Sequence, residues 1–181
     1  MFAIVIIVVL FFSAFSIQLP WSITSTCREP SSLITFDDIK IVNKSGIPIP
    51  NGYGGLSWGN GMTLNGLNSS SGTGYTAGVV SPPNLAYDAF GNDIVITNAT
   101  TKTFTINSFY SCAVWYDNIT LEMTGTREGT TLYTKSVQLF MQNRTFIELN
   151  WSDIDTINLN TVCFWCCGAK HFTMDNLCVT L

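Results

Sequence analysis

The stretch TFIELNW (145–151) decides how the chain is read. In an extended strand successive side chains point to opposite faces. Asn150 opens the sequon Asn150-Trp-Ser, and a glycan acceptor must face outward. Glu148 then faces outward too, and Ile147, Leu149 and Trp151 point into a core. The stretch NITLEM (118–123) obeys the same rule. Asn118, which opens Asn118-Ile-Thr, goes out with Thr120 and Glu122, while Ile119, Leu121 and Met123 go in. Two segments thus give one polar and one apolar face each, the pattern of an antiparallel sheet with one buried and one solvated side.

Working outward, DIVITN, TKTFTINSFYSCAVWYD, TLYTKSVQLFM, IDTINLN and KHFTMDNLCVT are also rich in β-branched and aromatic residues. Turn signals separate them: Phe-Gly-Asn at 90–92, Gly125, Arg-Glu-Gly at 127–129 and Gln-Asn at 142–143. Many short strands with frequent turns predict an all-β sandwich or barrel. LITFDDIKIV (33–42) reads as a first strand, and the Gly-, Ser- and Asn-rich stretch 47–83 as long loops with short strands, because Gly and Pro recur too often for a long helix.

The chain opens MFAIVIIVVLFFSAFSIQLPWS. An apolar run at 2–12 followed by Ala14 and Ser16 has the anatomy of a signal peptide cleaved after Ser16, although no Lys or Arg precedes the run. The competing membrane anchor needs about 20 apolar residues, and Ser13, Ser16, Gln18 and Pro20 interrupt this one. The predicted organisation is a leader at 1–16, a lead segment at 17–32 and one domain at 33–181, secreted, with no membrane span after cleavage. Charged residues make up only 11% of the chain and the net charge is −4, so the clustered Lys and Arg that bind nucleic-acid phosphates are missing. Sequons at Asn43, Asn68, Asn98, Asn118, Asn143 and Asn150 offer glycan acceptors to a eukaryotic secretory pathway.

The tail TVCFWCCGAKHFTMDNLCV (161–179) packs four cysteines and the single histidine together. Cys163, Cys166, Cys167, His171 and Cys178 have zinc-ligand chemistry. An exported chain with six cysteines, Cys27 and Cys112 included, favours disulfides. Six cysteines allow 15 connectivities, of which a bridge between adjacent Cys166 and Cys167 is disfavoured by strain. A tail cluster bridged to Cys27 and Cys112 would tie the last strand to the start and middle of the fold. Catalysis has little to work with: His171 is the only histidine, and no spacing singles out a pair of carboxylates. His171 is expected at an exposed or turn position.

Four segments together, TFDD (35–38), IPNGYGGLSW (49–58), AGVVSPPNLAYDAFG (77–91) and FTMDNL (172–177), resemble a group of largely uncharacterised secreted β-sandwich modules of fungi, rotifers and other microbes. Similar FDD openings and [MI]D[ND] closings occur in bacterial PEP-CTERM-type proteins. The cysteine cluster at 163–167 departs from that pattern. The resemblance implies a jelly roll similar to galactose-binding-like and carbohydrate-binding modules, with first and last strands adjacent and a structural Ca²⁺ between them. The residues it designates are Asp37 or Asp38 with Asp175 and Asn176, oxygen donors of the type calcium takes; the competing reading is that they bond to nearby backbone N–H groups. Sugar-binding modules stack sugars on aromatic rings. The candidates are Tyr53, Trp58, Tyr75, Tyr87 and the Trp115-Tyr116-Asp117-Asn118 segment, with packing as the competing role. The expected function is a secreted, non-catalytic module recognising an extracellular glycan or cell-surface polysaccharide. The alternative is a structural N-glycosylated matrix or wall protein, and a glycan-acting hydrolase comes third.

Overall fold

The computed structural model describes residues 27–100 and 102–181. The leader expected at 1–16 and most of the lead segment lie outside the described residues. The strands are β1 (Ser32–Ile34), β2 (Ile47–Pro48), β3 (Leu56–Gly59), β4 (Gly61–Asn65), β5 (Asn84–Asp88), β6 (Ile94–Asn98), β7 (Phe104–Ala113), β8 (Ile119–Arg127), β9 (Thr130–Leu139), β10 (Thr145–Ile154), β11 (Thr156–Val162) and β12 (Phe172–Thr180); one short helix, α1 (Gly74–Gly78), lies between β4 and β5. One antiparallel sheet runs β10-β7-β12-β5-β4-β2, with β1 added to the C-terminal half of β12. The other runs β3-β6-β11-β8-β9. The chain crosses between the sheets at nearly every step after β5, giving a jelly-roll β-sandwich.

Alternation places the main core. Ile119, Leu121 and Met123 of β8 and Ile147, Trp151 and Ile154 of β10 are buried between the sheets, and Glu122, Glu148 and Asn150 are exposed. Leu149 is only half-buried, short of the expected core position. The pairing of β10 with β7 shifts register between Glu148 and Trp151 and again between Trp151 and Ile154. Asn150 and Asp153, with φ of 53° and 64°, sit at those two bulges. Each bulge inserts a residue and resets which side chain faces inward.

On β5, Ala86 belongs to the main core, while Leu85 and Tyr87 join Leu64, Tyr75, Val79 and Val114 in a second cluster. Neighbours on a strand face opposite ways, so this smaller core lies on the outer face of the first sheet, under α1. The close approach of α1 is specified by glycine. A Cβ on Gly74 would lie 1.8 Å from the carbonyl oxygen of Ala113, and one on Gly78 2.3 Å from Oγ1 of Thr173. No larger residue lets the helix sit on β7 and β12.

One expectation about local structure is corrected, and one strand is added. LITFDDIKIV is not one strand: β1 ends at Ile34, and Phe36 turns the chain with φ 65°. NLAYD, outside the predicted strands, is β5, paired on both sides by β4 and β12.

Candidate functional site

Phe36 is fully buried and gathers the four segments that carry the family resemblance. Its ring meets Trp58 edge-on at 5.5 Å and Tyr53 at 5.8 Å. Trp58 Nε1 donates to the Tyr53 carbonyl at 3.0 Å, and the Tyr53 hydroxyl donates to Asp38 Oδ1 at 2.5 Å. Burial and the Asp38 carboxylate raise the Tyr53 phenol well above its ordinary value. Asn84 Nδ2 donates to the carbonyls of Phe36 and Ile39, and the Asn84 amide donates to Asp37 Oδ1 at 2.9 Å. From the other end of the chain, Asp175 accepts from the Val80 amide at 2.7 Å, the Ser81 amide at 2.9 Å, the Ser81 hydroxyl at 3.2 Å and the Asn176 amide at 2.7 Å. Asp37 and Asp175 therefore grip the segment 80–84 from its two ends.

This geometry gives the designated side chains partners within the fold. Trp58 is core packing, not a sugar platform, and the Tyr53 hydroxyl is tied to Asp38. Asp37, Asp38 and Asp175 hold protein hydrogens, and among the described residues no group of three or more His, Cys, Asp and Glu side chains gathers to hold a metal ion. Asn176, with φ 50°, keeps a buried Oδ1 without a partner. These hydrogen bonds support the reading in which the carboxylates serve backbone amides rather than Ca²⁺, which takes six to eight oxygen donors. Millimolar calcium or chelator is expected to leave the melting temperature unchanged; a rise with calcium reversed by chelator would overturn this assignment.

The cysteines pair as Cys27–Cys178 and Cys163–Cys166. Cys112 and Cys167 are free, so the expected bridge from the tail to Cys112 is not formed. Cys112 is sealed inside, its sulfur 3.1 and 3.0 Å from the carbonyls of Phe140 and Met141, and burial pushes its thiol up to about 11. Cys167 is exposed. A thiol reagent at pH 8 is expected to label one cysteine per molecule rapidly, at Cys167, and the second only after unfolding; rapid labelling of two thiols would contradict the burial of Cys112.

The concave site lies elsewhere, on the outer face of the first sheet. The pairing of Ala113 with Phe172 and of Tyr87 with Thr173 brings the end of β7, the end of β5 and the start of β12 side by side. Their loops and α1 enclose a cleft of about 480 Å³. Tyr75 stands edge-on to Tyr87 at 5.3 Å and to Trp115 at 5.6 Å. Trp115 is 47% exposed and Phe90 84% exposed, Phe90 held at φ 57°, an unusual conformation for a bulky residue. Lys44, Ser45, Asn68, Ser69 and Ser70 supply a polar rim. The Tyr87 hydroxyl donates to the Ser45 carbonyl at 2.7 Å, whereas the Tyr75 hydroxyl has no hydrogen-bond partner among the described residues. Burial raises the Tyr75 phenol, helped by Tyr87 and Asp88, so it stays a neutral donor.

His171, expected at an exposed or turn position, lies in the β11–β12 connection but is mostly buried and forms one wall. Its Nδ1 lies 2.8 Å from the Asp88 carbonyl and 3.2 Å from Asp88 Oδ2. Both are acceptors, so Nδ1 carries the hydrogen. Burial alone would lower the imidazole's pKa; the hydrogen bonds and charge of Asp88 outweigh it and raise it. His171 makes no hydrogen bond to a Ser, Thr or Cys among the described residues, and no carboxylate lines the cleft. Tyr75, Tyr87 and Trp115 were legible as candidates. Phe90 and His171 were not, because their places depend on which loops meet. Tyr116 faces a different cavity, beside Asp117 and Asn118. Five of the six sequon asparagines are exposed and Asn98 is half-buried, its Oδ1 accepting from Thr100.

Fold and cleft together define an all-β sandwich with an aromatic-walled, polar-rimmed site on one sheet face. No protein-family model matches the chain, and no curated protein matches it in sequence. Among solved structures it is similar to a carbohydrate-binding module, TmCBM61, determined in complex with β-1,4-galactotriose; the match covers 72% of this chain and 93% of that one, with a TM-score of 0.38 and 5% identity. Among the described residues no helix is long and apolar enough to cross a membrane.

Proposed function

We propose that the protein is a secreted, non-catalytic module that binds carbohydrate in the cleft walled by Tyr75, Tyr87, Trp115 and Phe90. The observation that carries this reading is the chemistry of those walls. A pyranose presents a face of C–H groups edged by hydroxyls. The C–H groups carry slight positive charge and lie favourably on the negative face of an aromatic ring, and hydroxyls bond to amide, hydroxyl and ammonium groups. Exposed Trp115 and Phe90 beside Asn68, Ser69, Ser70 and Lys44 supply both kinds of contact. A concave, largely apolar site with a few polar groups is the general form of a small-ligand site. The cleft lacks the facing carboxylates that glycoside hydrolysis uses. Export is supported by the leader pattern and by the two disulfides.

The test is binding to a panel of insoluble polysaccharides and to a glycan array, with Trp115→Ala as the variant. Trp115 is half-exposed, so its loss spares the fold. Saturable binding weakened at least tenfold, about 1.4 kcal/mol, is expected. Absence of saturable binding, or equal binding by the variant, would overturn the reading. A structural, N-glycosylated matrix or wall protein is the second reading, favoured by the surface positions of the sequon asparagines. A glycan on Asn68 would stand at the mouth of the cleft. Mass spectrometry of the native protein separates the two: occupied Asn68 with no sugar binding favours the structural role.

A further inference from the structure

Phe164 and Trp165 are 91% and 93% exposed, more than any other large apolar side chain among the described residues. They stand on the four-residue loop that the Cys163–Cys166 disulfide closes. Facing them, the turn from β7 to β8 and the start of the β8–β9 pair contribute Tyr116, Asn118, Thr120 and Gln138, and the group encloses a second cavity of about 350 Å³. Gln138 Nε2 donates to Thr120 Oγ1 at 2.8 Å and Asp117 Oδ1 accepts from the Met141 amide at 2.7 Å, so the polar side is braced. The Tyr116 hydroxyl and the Asn118 amide have no hydrogen-bond partner among the described residues. Aromatic faces on one side and free amide and hydroxyl groups on the other are again the two halves of sugar recognition. An acidic chain with no basic cluster here is poorly suited to an anionic lipid surface.

The second cavity adjoins the first along the chain. Trp115 lines one and Tyr116 the other, so a single peptide step separates them. The same β11–β12 loop borders both: Gly168 leaves room for the Tyr116 hydroxyl, whereas Ala169 and Lys170 pack against Gly91 beside Phe90. We propose that the two cavities form one groove across the Trp115-Tyr116 ridge, and that its ligand is an internal stretch of a polysaccharide, with Trp165 and Phe164 holding sugars beyond those held at Trp115. This rests on the carbohydrate reading of the first cleft and names the ligand class for it.

The test is isothermal titration with cello-, xylo- and chito-oligosaccharides of two to six sugars. It uses the parent protein, Trp115→Ala, a Phe164→Ala/Trp165→Ala double variant, and Asn118→Gln, which removes the sequon and keeps an amide. The parent is expected to bind six-sugar chains of at least one series at least tenfold more tightly than two-sugar chains. The double variant, altered only at exposed positions, is expected to bind long chains no better than short ones, and Trp115→Ala to lose both. Equal affinity for all lengths, or long-chain binding untouched in the double variant but lost in Trp115→Ala, overturns the groove and leaves the first cleft standing. A parent that binds none of the three series overturns the groove, and absence of binding on the glycan array as well overturns both. A length dependence that appears only in Asn118→Gln gives the second cavity to the protein's own glycan and overturns the proposal.

Discussion

Serine at both Cys27 and Cys178 is expected to lower the unfolding free energy by about 5 kcal/mol, and serine at both Cys163 and Cys166 by about 2 kcal/mol. In the chain-entropy account a cross-link stabilises by removing freedom from the unfolded chain, and the gain grows with the logarithm of the loop it closes. The first bridge spans a sequence separation of 151 and the second a separation of 3. The Cys27–Cys178 bridge also sits beside the pairing of β1 with β12, which joins Ser32 to Val179 and Ile34 to Leu177. A strand of three residues gains little from its own hydrogen bonds, so the bridge fixes it to the sheet. Urea unfolding of the two double variants without reductant measures both costs. Equal losses would show that local geometry, not loop length, sets them.

Replacing Asp175 with alanine is expected to cost about 3–5 kcal/mol, because the Val80 and Ser81 amides lose a buried acceptor and each unmet donor costs about 1–3 kcal/mol. The same carboxyl sets a pH dependence. Burial pushes its pKa from 3.8 up to about 7, against four hydrogen bonds that favour the ionised form. A carboxyl that holds its proton more tightly when folded contributes its stability fully below 3.8 and loses it as pH rises through about 7. His171 acts in the same sense: its folded pKa lies above 6.5, so its contribution is complete below that value and fades above its folded pKa. The melting temperature is therefore expected to fall between pH 5 and pH 8, and Asp175→Ala to flatten most of that slope. A melting temperature that rises over this interval, or an unchanged slope in the variant, would refute the assignment.

The outward-facing polar side chains of β8 and the apolar ones beneath them were legible because a half-buried strand writes its two faces at alternate positions. The same rule ran slightly astray in β10, where Asn150 and Asp153 bulge out of the ladder and no period-two pattern announces them. It failed at LITFDDIKIV, where Phe36 is apolar and reads as strand yet occupies a left-handed turn at the centre of a tertiary cluster. β5 was overlooked because five residues bounded by Pro83 and Ala89 carry too little pattern, although partners on both sides make the strand central. The conspicuous segments TFDD, GYGGLSW, SPPN and MDNL looked like a ligand or metal site. They converge instead on Phe36 and on the grip around residues 80–84, because buried backbone amides need acceptors as much as any ligand does.

The amino-acid order by itself determined the all-β class, the solvated face of the sandwich, the aromatic candidates and the presence of cysteines ready to cross-link. Tertiary structure alone decided that Tyr75, Tyr87, Trp115 and Phe90 share one cleft, that His171 braces on Asp88, and which cysteines are within bonding distance. The reason lies in the range of the interactions: strand faces follow from neighbours two residues apart, whereas a binding site assembles side chains from a helix, a strand and two connections whose meeting is fixed by sheet register and by a helix resting on glycine.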